Sequence, residues 1–237
     1  TRRYTNQLLR FQKSWGKHNV NGLLAYEFND WEMKFTDVYA TGFLSGFEDF
    51  TTTSKPEKAN GYRQAWAKQS YFTQWRYNYD NRYFGEVSLR RDGRSNFGSN
   101  NRYGNFFSFS GAWNINNESW FKAQWVDMLK LRASFGSVGN VPTSLYPSYS
   151  LYSVGASYNE QSGALISQIG NKDLTWEKTF TTGVGVDAAF FQNRLTATLD
   201  FYVKNTSNIL YQVPVTGLVG VTSIWKNIGK MRNTGVE

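Results

Sequence analysis

The stretch that decides the fold is Leu195-Thr-Ala-Thr-Leu-Asp-Phe-Tyr-Val-Lys204. Every odd-numbered residue in it is apolar, whereas Thr, Asp, Tyr and Lys occupy the even-numbered positions. Successive side chains of a β-strand point to opposite faces, so this alternation predicts a strand with one apolar and one polar face. A helix would mix the two sets of side chains on every face.

The same alternation recurs along the chain and predicts further strands. We expect strands at 4–14, 17–28, 69–80, 82–91, 104–115, 128–136, 176–189 and 193–204. Additional pieces of strand are expected within 145–154, 208–215 and 223–231. No segment is expected to form a helix longer than a turn or two, with 118–126 as the one candidate exception. The predicted fold class is therefore all-β.

The links between the predicted strands differ in length. Tight links fall at 14–16, 80–81 and 190–192, where Gly, Asn and Asp favour turns. Long links cover 29–68, 92–103, 137–175 and 205–222, and a medium link covers 116–127. If the medium link groups with the tight ones, short and long links lie at opposite ends of the sheet. An antiparallel transmembrane β-barrel with short periplasmic turns and long outer loops has this arrangement.

The predicted strands also suit a barrel in length and in composition. A tilted strand needs about 9–11 residues to cross a bilayer. The polar faces carry charges that a water-filled or plugged lumen tolerates, among them Glu86, Arg132, Asp187 and Asp200. Aromatic residues near strand ends fit either interfacial girdles or ordinary strand propensity. They are Trp15, Tyr26, Phe28, Tyr79, Tyr83, Trp113, Phe180 and Phe201.

The composition narrows the chemistry that the chain can perform. It contains no Cys and a single His, His18, which argues against thiolate and multi-histidine metal sites. The net charge of +8 fits either an anionic partner or a dispersed solvated surface. No nucleic-acid-binding motif is present, so we expect no nucleic-acid partner.

Candidate catalytic and metal sites are weak. Asp173 with Glu177, or Asp187 with Asp200, could form the carboxylate pair of a glycosidase, but loop or lumen solvation is the simpler explanation. The run 92–96 lacks the twelve-residue calcium pattern, and Gly183-Val-Gly185 lacks the third Gly of a dinucleotide site. We therefore expect no catalytic, cofactor-binding or metal-binding residues and no enzyme activity.

Aromatic residues recur along the long link 29–68. They are Trp31, Phe35, Tyr39, Phe43, Phe47 and Phe50. Such a row could stack on sugar rings, contact a capping protein or pack within the loop. The sequence does not identify the substrate-binding residues.

The order of links also has a consequence for completeness. The first strand must run from the long-loop end towards a tight turn, and a further strand follows 205–222. We therefore expect residues 1–237 to form part of a larger outer-membrane barrel, with the remaining strands outside them.

Several phrases, in this order, resemble the SusC/RagA-type TonB-dependent outer-membrane transporters. They are Lys13-Ser-Trp-Gly-Lys-His-Asn-Val20 with Gly22-Leu-Leu-Ala-Tyr-Glu27, Tyr77-Asn-Tyr-Asp-Asn-Arg-Tyr83 with Leu89-Arg-Arg-Asp-Gly-Arg-Ser-Asn-Phe-Gly98, Asn101-Arg-Tyr-Gly with Phe107-Ser-Phe-Ser-Gly-Ala-Trp113, Leu129-Lys-Leu-Arg-Ala-Ser-Phe-Gly136 with Gly139-Asn140, Asn171-Lys-Asp-Leu-Thr-Trp-Glu177, Asn193-Arg-Leu195 with Asp200-Phe-Tyr202, and Asn227-Ile-Gly-Lys-Met-Arg-Asn-Thr-Gly235. The resemblance covers nearly the whole chain.

This resemblance implies a barrel of roughly 22 strands in the bacterial outer membrane, with an internal plug domain that lies outside residues 1–237. It implies TonB-dependent import of a bulky nutrient, an oligosaccharide or a peptide, with a SusD-like surface lipoprotein as a lid and TonB contacting the plug. Two alternatives remain open from the residues alone. One is a small complete barrel that acts as an adhesin or anchor, and the other is a soluble carbohydrate-binding β-sandwich.

Overall fold

The computed structural model describes residues 1–217 and 220–237. Its strands are β1 (Arg2–Trp15), β2 (His18–Phe43), β3 (Thr53–Tyr79), β4 (Tyr83–Arg94), β5 (Tyr103–Asn114), β6 (Val126–Asn140), β7 (Leu151–Tyr158), β8 (Gln161–Gln168), β9 (Glu177–Phe190), β10 (Leu195–Ser207), β11 (Leu210–Pro214), β12 (Ser223–Asn227) and β13 (Lys230–Val236). Each of the eight strands predicted from the alternation is confirmed.

Within the described residues, nine of the strands form one antiparallel sheet in the order β1-β2-β3-β4-β5-β6-β9-β10-β13. Each strand pairs with the next one along the chain, apart from two hairpins, β7–β8 and β11–β12, that stand outside the main sheet. A β-sandwich would need two sheets packed face to face. In the described residues the nine-stranded sheet is accompanied only by the two hairpins, so the architecture is not a sandwich. The edges of the main sheet are β1 and β13.

The tight turns lie at one end of the sheet as predicted, but link length does not fully separate the two ends. At one end, the connections after β1, β3 and β9 are tight turns, and the connection after β5 covers 115–125. At the other end, the connections after β2, β4, β6 and β10 cover 44–52, 95–102, 141–176 and 208–229. Gly16, Asp80 and Asn81 have φ values of 53°, 52° and 54°, the left-handed conformation that tight hairpin turns require. Below, the two ends are called the short-link end and the long-link end.

The prediction that 29–68 is a loop is wrong for most of that segment. β2 and β3 stay paired from His18 opposite Tyr79 to Phe43 opposite Thr53, with a bulge between Tyr39 and Ala40. Only 44–52 connects the two strands. The return strand contains Gly and Pro, which weaken the local strand signal, and pairing with β2 across the hairpin overrides that preference.

Other boundaries also differ from the sequence predictions. The segment 118–126 is not a helix. Its backbone makes turns after a 3-10 turn at Ile115–Asn117, and the Glu118 side chain bonds back to the ends of β4 and β5. The piece at 145–154 is strand only from Leu151 onwards.

Two predicted segments near the end of the chain are divided differently. The piece at 223–231 separates into β12 and β13 because Gly229, with a φ of 87°, breaks the extended backbone between them. The piece at 208–215 contains β11, while the link 137–175 contains β7 and β8. Residues 218–219 of the predicted link 205–222 lie outside the described residues. In the part of the chain that the structure describes, no helix has the length and apolar character of a membrane span.

Candidate functional site

The cross-strand register gives the main sheet an apolar face and a charged face. On β10, Leu199 lies opposite Val186 of β9, which lies opposite Leu131 of β6. These three residues and their neighbours two positions away along each strand define the apolar face. Leu199 is 58% exposed. Thr198 is on the other side, opposite Asp187, as the alternation predicts.

A row of aromatic rings crosses the apolar face at the short-link end. The ring of Trp15 stacks on His18 with centroids 5.3 Å apart, and His18 lies 4.9 Å from Tyr79. The row continues to Tyr83 and then Trp113, each 6.3 Å from the ring before it. These contiguous rings on five strand ends, called the aromatic girdle below, have the arrangement of the aromatic girdles of transmembrane barrels.

A second aromatic group lies on the same face nearer the long-link end. Tyr26 and Tyr71 have ring centroids 5.2 Å apart. The Tyr103 hydroxyl donates to Oε1 of Gln69 at 3.1 Å, beside these two rings. Tyr71 and Tyr79 on β3 are about 26 Å apart along the strand at the usual rise. A tilt of about 40° reduces this to about 20 Å of height, somewhat less than the roughly 25 Å apolar band of a transmembrane barrel.

The charged face is held by ion pairs between strands. Arg132 on β6 bonds Asp187 at 2.7 Å and Asp200 at 3.1 Å. Arg76 pairs with Glu86 at 2.8 Å. The Asp187–Asp200 pair, considered as glycosidase carboxylates from the sequence, therefore shares one guanidinium. Both carboxylates are ion-pair partners of Arg132.

A shallow cavity of about 440 Å³ opens on the charged face. Its wall includes Arg76, Glu86, Arg132 and Asp200, and its floor is formed by small residues of the same face, among them Ser110, Ala112 and Gly185. Because these lining residues are small or charged, a polar surface can approach the cavity closely. The side chains favour contact with water or with a polar protein segment rather than with lipid.

A buried cluster covers the long-link end of the sheet. Phe97 and Leu174 are fully buried, and Phe106 and Trp176 pack with them. The Trp176 ring lies 5.1 Å from Phe97 and 5.4 Å from Phe106 between centroids. Sequence reasoning did not find this loop cluster, although Leu174 and Trp176 belong to a phrase that carries the family resemblance.

Asparagine side chains bind the long links to one another around this loop cluster. The Asn96 amide donates to the carbonyl oxygens of Ser144 and Leu145 at 3.0 and 3.2 Å. The Asn227 amide donates to Thr175 O at 2.8 Å, and its Oδ1 accepts from Thr175 N at 2.9 Å. The links after β4, β6 and β10 therefore form one connected layer rather than independent loops.

The β2–β3 hairpin extends beyond this layer as a two-stranded ribbon. In the main sheet, β1 pairs with β2 up to Trp31, and β4 pairs with β3 only from Lys68 onwards. Residues 32–43 span about 40 Å at the usual strand rise. The Tyr146 hydroxyl binds the ribbon with two hydrogen bonds. It accepts from Ala65 N at 2.8 Å and donates to Ala65 O at 3.1 Å.

The aromatic row predicted along 29–68 lies partly on one face of the ribbon. Trp31, Phe35 and Tyr39 share a face by alternation, and Phe35 stacks on Tyr62 with centroids 5.0 Å apart. Phe43 and Phe50 meet at the tip, 6.0 Å apart. Phe35, Tyr39, Phe43 and Phe50 are between 39% and 56% exposed, so packing within the loop accounts for only part of the row.

The remaining sequence candidates have structural roles. His18 belongs to the aromatic girdle, and its Nδ1 lies 2.8 Å from the Tyr77 hydroxyl. Glu177 accepts from Leu210 N at 3.1 Å through Oε2. Asp92 bonds Arg90 at 2.8 Å, and Gly183 and Gly185 lie in mid-strand. Over residues 1–217 and 220–237, no group of three or more His, Asp or Glu side chains has metal-site geometry.

Two carboxylates in the short links have ion-pair or hydrogen-bond partners that favour the charged form. The hydrogen bond from Lys17 at 2.7 Å lowers the pKa of Asp80. Glu118 accepts from the Tyr83 hydroxyl at 2.6 Å and from Trp113 Nε1 at 2.9 Å. These bonds, the first being the larger cause, lower the pKa of Glu118 below its usual value. They fix the links beneath the girdle.

The family model described as "TonB dependent receptor-like, beta-barrel" matches residues 1–237. The chain belongs to this TonB-dependent receptor β-barrel family. This confirms the all-β antiparallel fold predicted from the sequence, and the similarity to SusC and to RagAB confirms the predicted SusC/RagA-type resemblance.

Curated relatives are receptors of the same family. A TonB-dependent receptor of Formosa agariphila is 34% identical over 225 residues, covering 93% of this chain and 22% of the relative. The TonB-dependent receptor SusC of Bacteroides thetaiotaomicron is 32% identical over 180 residues, covering 71% of this chain and 18% of SusC. The chain thus spans about a quarter or less of the length of the curated relatives it matches.

Solved structures of the family have the same strand arrangement. The RagAB peptide importer in its closed-closed state superposes with a TM-score of 0.88 at 30% identity, over 99% of this chain and 27% of the matched chain. The ferric enterobactin receptor PfeA of Pseudomonas aeruginosa superposes with a TM-score of 0.60 at 18% identity, which shows the fold alone.

Proposed function

We propose that this chain is a wall section of a TonB-dependent importer in the bacterial outer membrane. The proposal rests on the open nine-stranded sheet, which has two groups of aromatic rings on its apolar face and ion pairs on its charged face. A sheet with these two faces separates lipid from a polar lumen. The plug domain and the remaining strands of the barrel lie outside residues 1–237.

The imported substrate in this proposal is a bulky nutrient, an oligosaccharide or a peptide. RagAB is a peptide importer, and SusC is a TonB-dependent receptor. The connected layer of long links and the aromatic ribbon form a broad surface above the lumen, suited to a large ligand. No bond is broken in this function, so the proposed protein is a transporter and not an enzyme.

The proposed partners are a SusD-like surface lipoprotein and TonB. The lipoprotein would cap the long-link end, where the ribbon and its exposed aromatic rings project. TonB would act through the plug from the short-link end, so residues 1–237 need no contact with it. A small barrel that serves as an adhesin is less well supported, since β1 and β13 are sheet edges.

Uptake by cells that express the intact receptor tests this function. Labelled oligosaccharides and labelled peptides are supplied to wild-type cells, to cells without the receptor and to cells without TonB. We expect one ligand class to enter only when both proteins are present, with entry of a small porin-permeable sugar as the unchanged control. Uptake that continues without TonB contradicts the proposal.

Purification of the intact receptor in mild detergent tests the lipoprotein partner. We expect a SusD-like surface lipoprotein to co-purify. Removing the exposed ribbon tip, residues 44–52, should weaken that association without changing the amount of folded receptor. A receptor that purifies alone at native expression contradicts this part of the proposal.

A further inference from the structure

The apolar face contains a groove whose two adjacent rows of side chains have different chemistry. In one row Leu9 lies opposite Leu24, and Leu89 lies opposite Phe107, with Thr73 between the two pairs. The groove along these strands has a volume of about 810 Å³. Leu9, Leu24 and Leu89 are 66%, 47% and 50% exposed, so the floor is open to the surrounding medium.

The next row towards the long-link end is polar. It runs across the same five strands as Gln7, Tyr26, Tyr71, Arg91 and Asn105. Arg91 is exposed, and its guanidinium lies over the ring of Tyr103 at 4.9 Å from the centroid. A guanidinium stacked on its plane keeps its N–H edges available to an acceptor.

Arg91 differs from the arginines of the charged face. Arg76, Arg90 and Arg132 each bond a carboxylate within 3.1 Å. Among the residues that the structure describes, no Asp or Glu lies within 4.0 Å of the Arg91 side chain. Arg91 is therefore a cation without a protein counter-ion at the rim of an apolar groove. Such a site can bind a ligand that combines an anionic group with an apolar tail.

We propose that this groove binds a phosphate-bearing lipid, with acyl chains along Leu9, Leu24, Leu89 and Phe107 and a phosphate at Arg91. The inference rests on the proposed outer-membrane location. Arg91 lies towards the long-link end, which faces outwards in such barrels, so the lipid belongs to the outer leaflet. The phosphorylated glycolipid of that leaflet is lipid A, and arginine forms bidentate bonds with phosphate oxygens.

Lipid binding by the purified, delipidated intact receptor tests the inference. Native mass spectrometry measures binding of diphosphorylated lipid A, of the same lipid without phosphates and of phosphatidylglycerol. We expect diphosphorylated lipid A to bind most tightly, and Arg91→Gln to weaken its binding about tenfold. Arg91→Lys keeps the charge without the planar fork, so its affinity should fall between the two.

Lys13→Gln is the matched control because Lys13 is a cation of the same face at the short-link end, beside the Trp15 ring. Its binding of lipid A should equal that of the wild type. Equal binding by wild type and Arg91→Gln, by lipid A with and without phosphates, or by lipid A and phosphatidylglycerol overturns the inference. Heat-modifiable migration establishes that each variant is folded. Nutrient uptake is measured separately, so a failed import hypothesis leaves this result readable.

Discussion

At the scale of single residues, aromatic rings of the apolar face lie across glycines of neighbouring strands. A Cβ on Gly22 would meet the Trp75 ring at 2.6 Å, and one on Gly93 would meet the Tyr103 ring at 2.5 Å. The missing side chain lets the ring lie flat over the backbone of the adjacent strand and shield its hydrogen bonds. Gly85, on the same face, has no atom within 4 Å of its Cβ position.

Gly22→Ala and Gly85→Ala should therefore differ in stability. We expect Gly22→Ala to lower the free energy of unfolding by about 1–3 kcal/mol because the Trp75 ring must leave its place. Gly85→Ala meets open space and should change it little, or raise it by about 0.4–1 kcal/mol. Denaturant unfolding of the intact receptor in bilayers measures both. Equal effects would show that the ring is free to move.

The two faces of β10 give a second comparison. Leu199→Arg places a charge on the apolar face and should cost about 2–4 kcal/mol near the membrane centre. Thr198→Arg places the same charge beside Asp187, whose Oδ1 accepts from the Thr198 hydroxyl at 3.3 Å, and should cost much less. The same bilayer unfolding experiment compares the variants. Equal costs would refute the assignment of the faces.

Glu118 gives the short-link end a predictable response to pH. Because the Tyr83 and Trp113 bonds lower its pKa below the ordinary 4.5, its contribution to stability is complete above that pH. The contribution is lost as the pH falls through the lowered value. Glu118→Gln should therefore reduce the loss of stability between pH 7 and pH 3, measured by thermal unfolding in detergent. Parallel pH curves for both proteins would contradict this.

At the scale of elements, the links after β4, β6 and β10 behave as one folded layer. The fully buried Leu174 and Phe97 come from different links, and Asn96 and Asn227 bond further links to them. The β2–β3 ribbon is hydrogen-bonded to this layer at two places, Ala65 with Tyr146 and Ala67 with Ser95. The layer is therefore a more rigid element than long loops of this composition suggest.

Leu174→Ala should loosen the layer without opening the barrel. Deleting a fully buried Leu side chain costs about 2–5 kcal/mol, and here the cost falls on the local opening of the links. We expect faster proteolysis and hydrogen exchange at 95–102 and 169–176, while the main-sheet strands keep their protection. Leu165→Ala, at a position 63% exposed, is the control and should change neither. Global unfolding at the same denaturant concentration as local opening would disprove an independent layer.

At the scale of the whole molecule, the main sheet is one section of a barrel wall. β1 and β13 are bonded on one side only within the described residues, and the unpaired backbone of a sheet edge is costly in lipid. The charged face also needs a polar filling rather than a second apolar layer. Both features fit a barrel that other parts of a longer protein complete.

Residues 1–237 by themselves should therefore fail to form a stable closed barrel. Refolded into detergent, the isolated segment should run at one position on a gel whether or not it is heated. The intact receptor should show the heat-dependent shift of a folded barrel. A heat-modifiable band for the isolated segment would mean that β1 and β13 can close on each other, contrary to this expectation.

The alternation along the chain was sufficient to find the strands and to divide their residues between two faces. Side-chain direction in a strand follows from local geometry, so Leu199 and Thr198 could be placed without knowing their neighbours. The tight turns were equally local, since Gly16 and Asp80-Asn81 carry their own preference for left-handed backbone. Counting the links then placed the tight turns at one end of the sheet, but it overestimated the link 29–68, of which only 44–52 connects the two strands.

The tertiary structure alone decided what depends on contacts between distant residues. The ribbon 32–43 with 53–67 exists because each strand pairs with the other, and its weak local signal gave a loop instead. The segment 118–126 was a helix candidate by its sequence. It forms turns instead because the Glu118 side chain bonds Tyr83 and Trp113. The aromatic girdle, the loop cluster and the Arg91 groove likewise required the register. Cross-strand neighbours are set by pairing between segments, and no single segment contains that information.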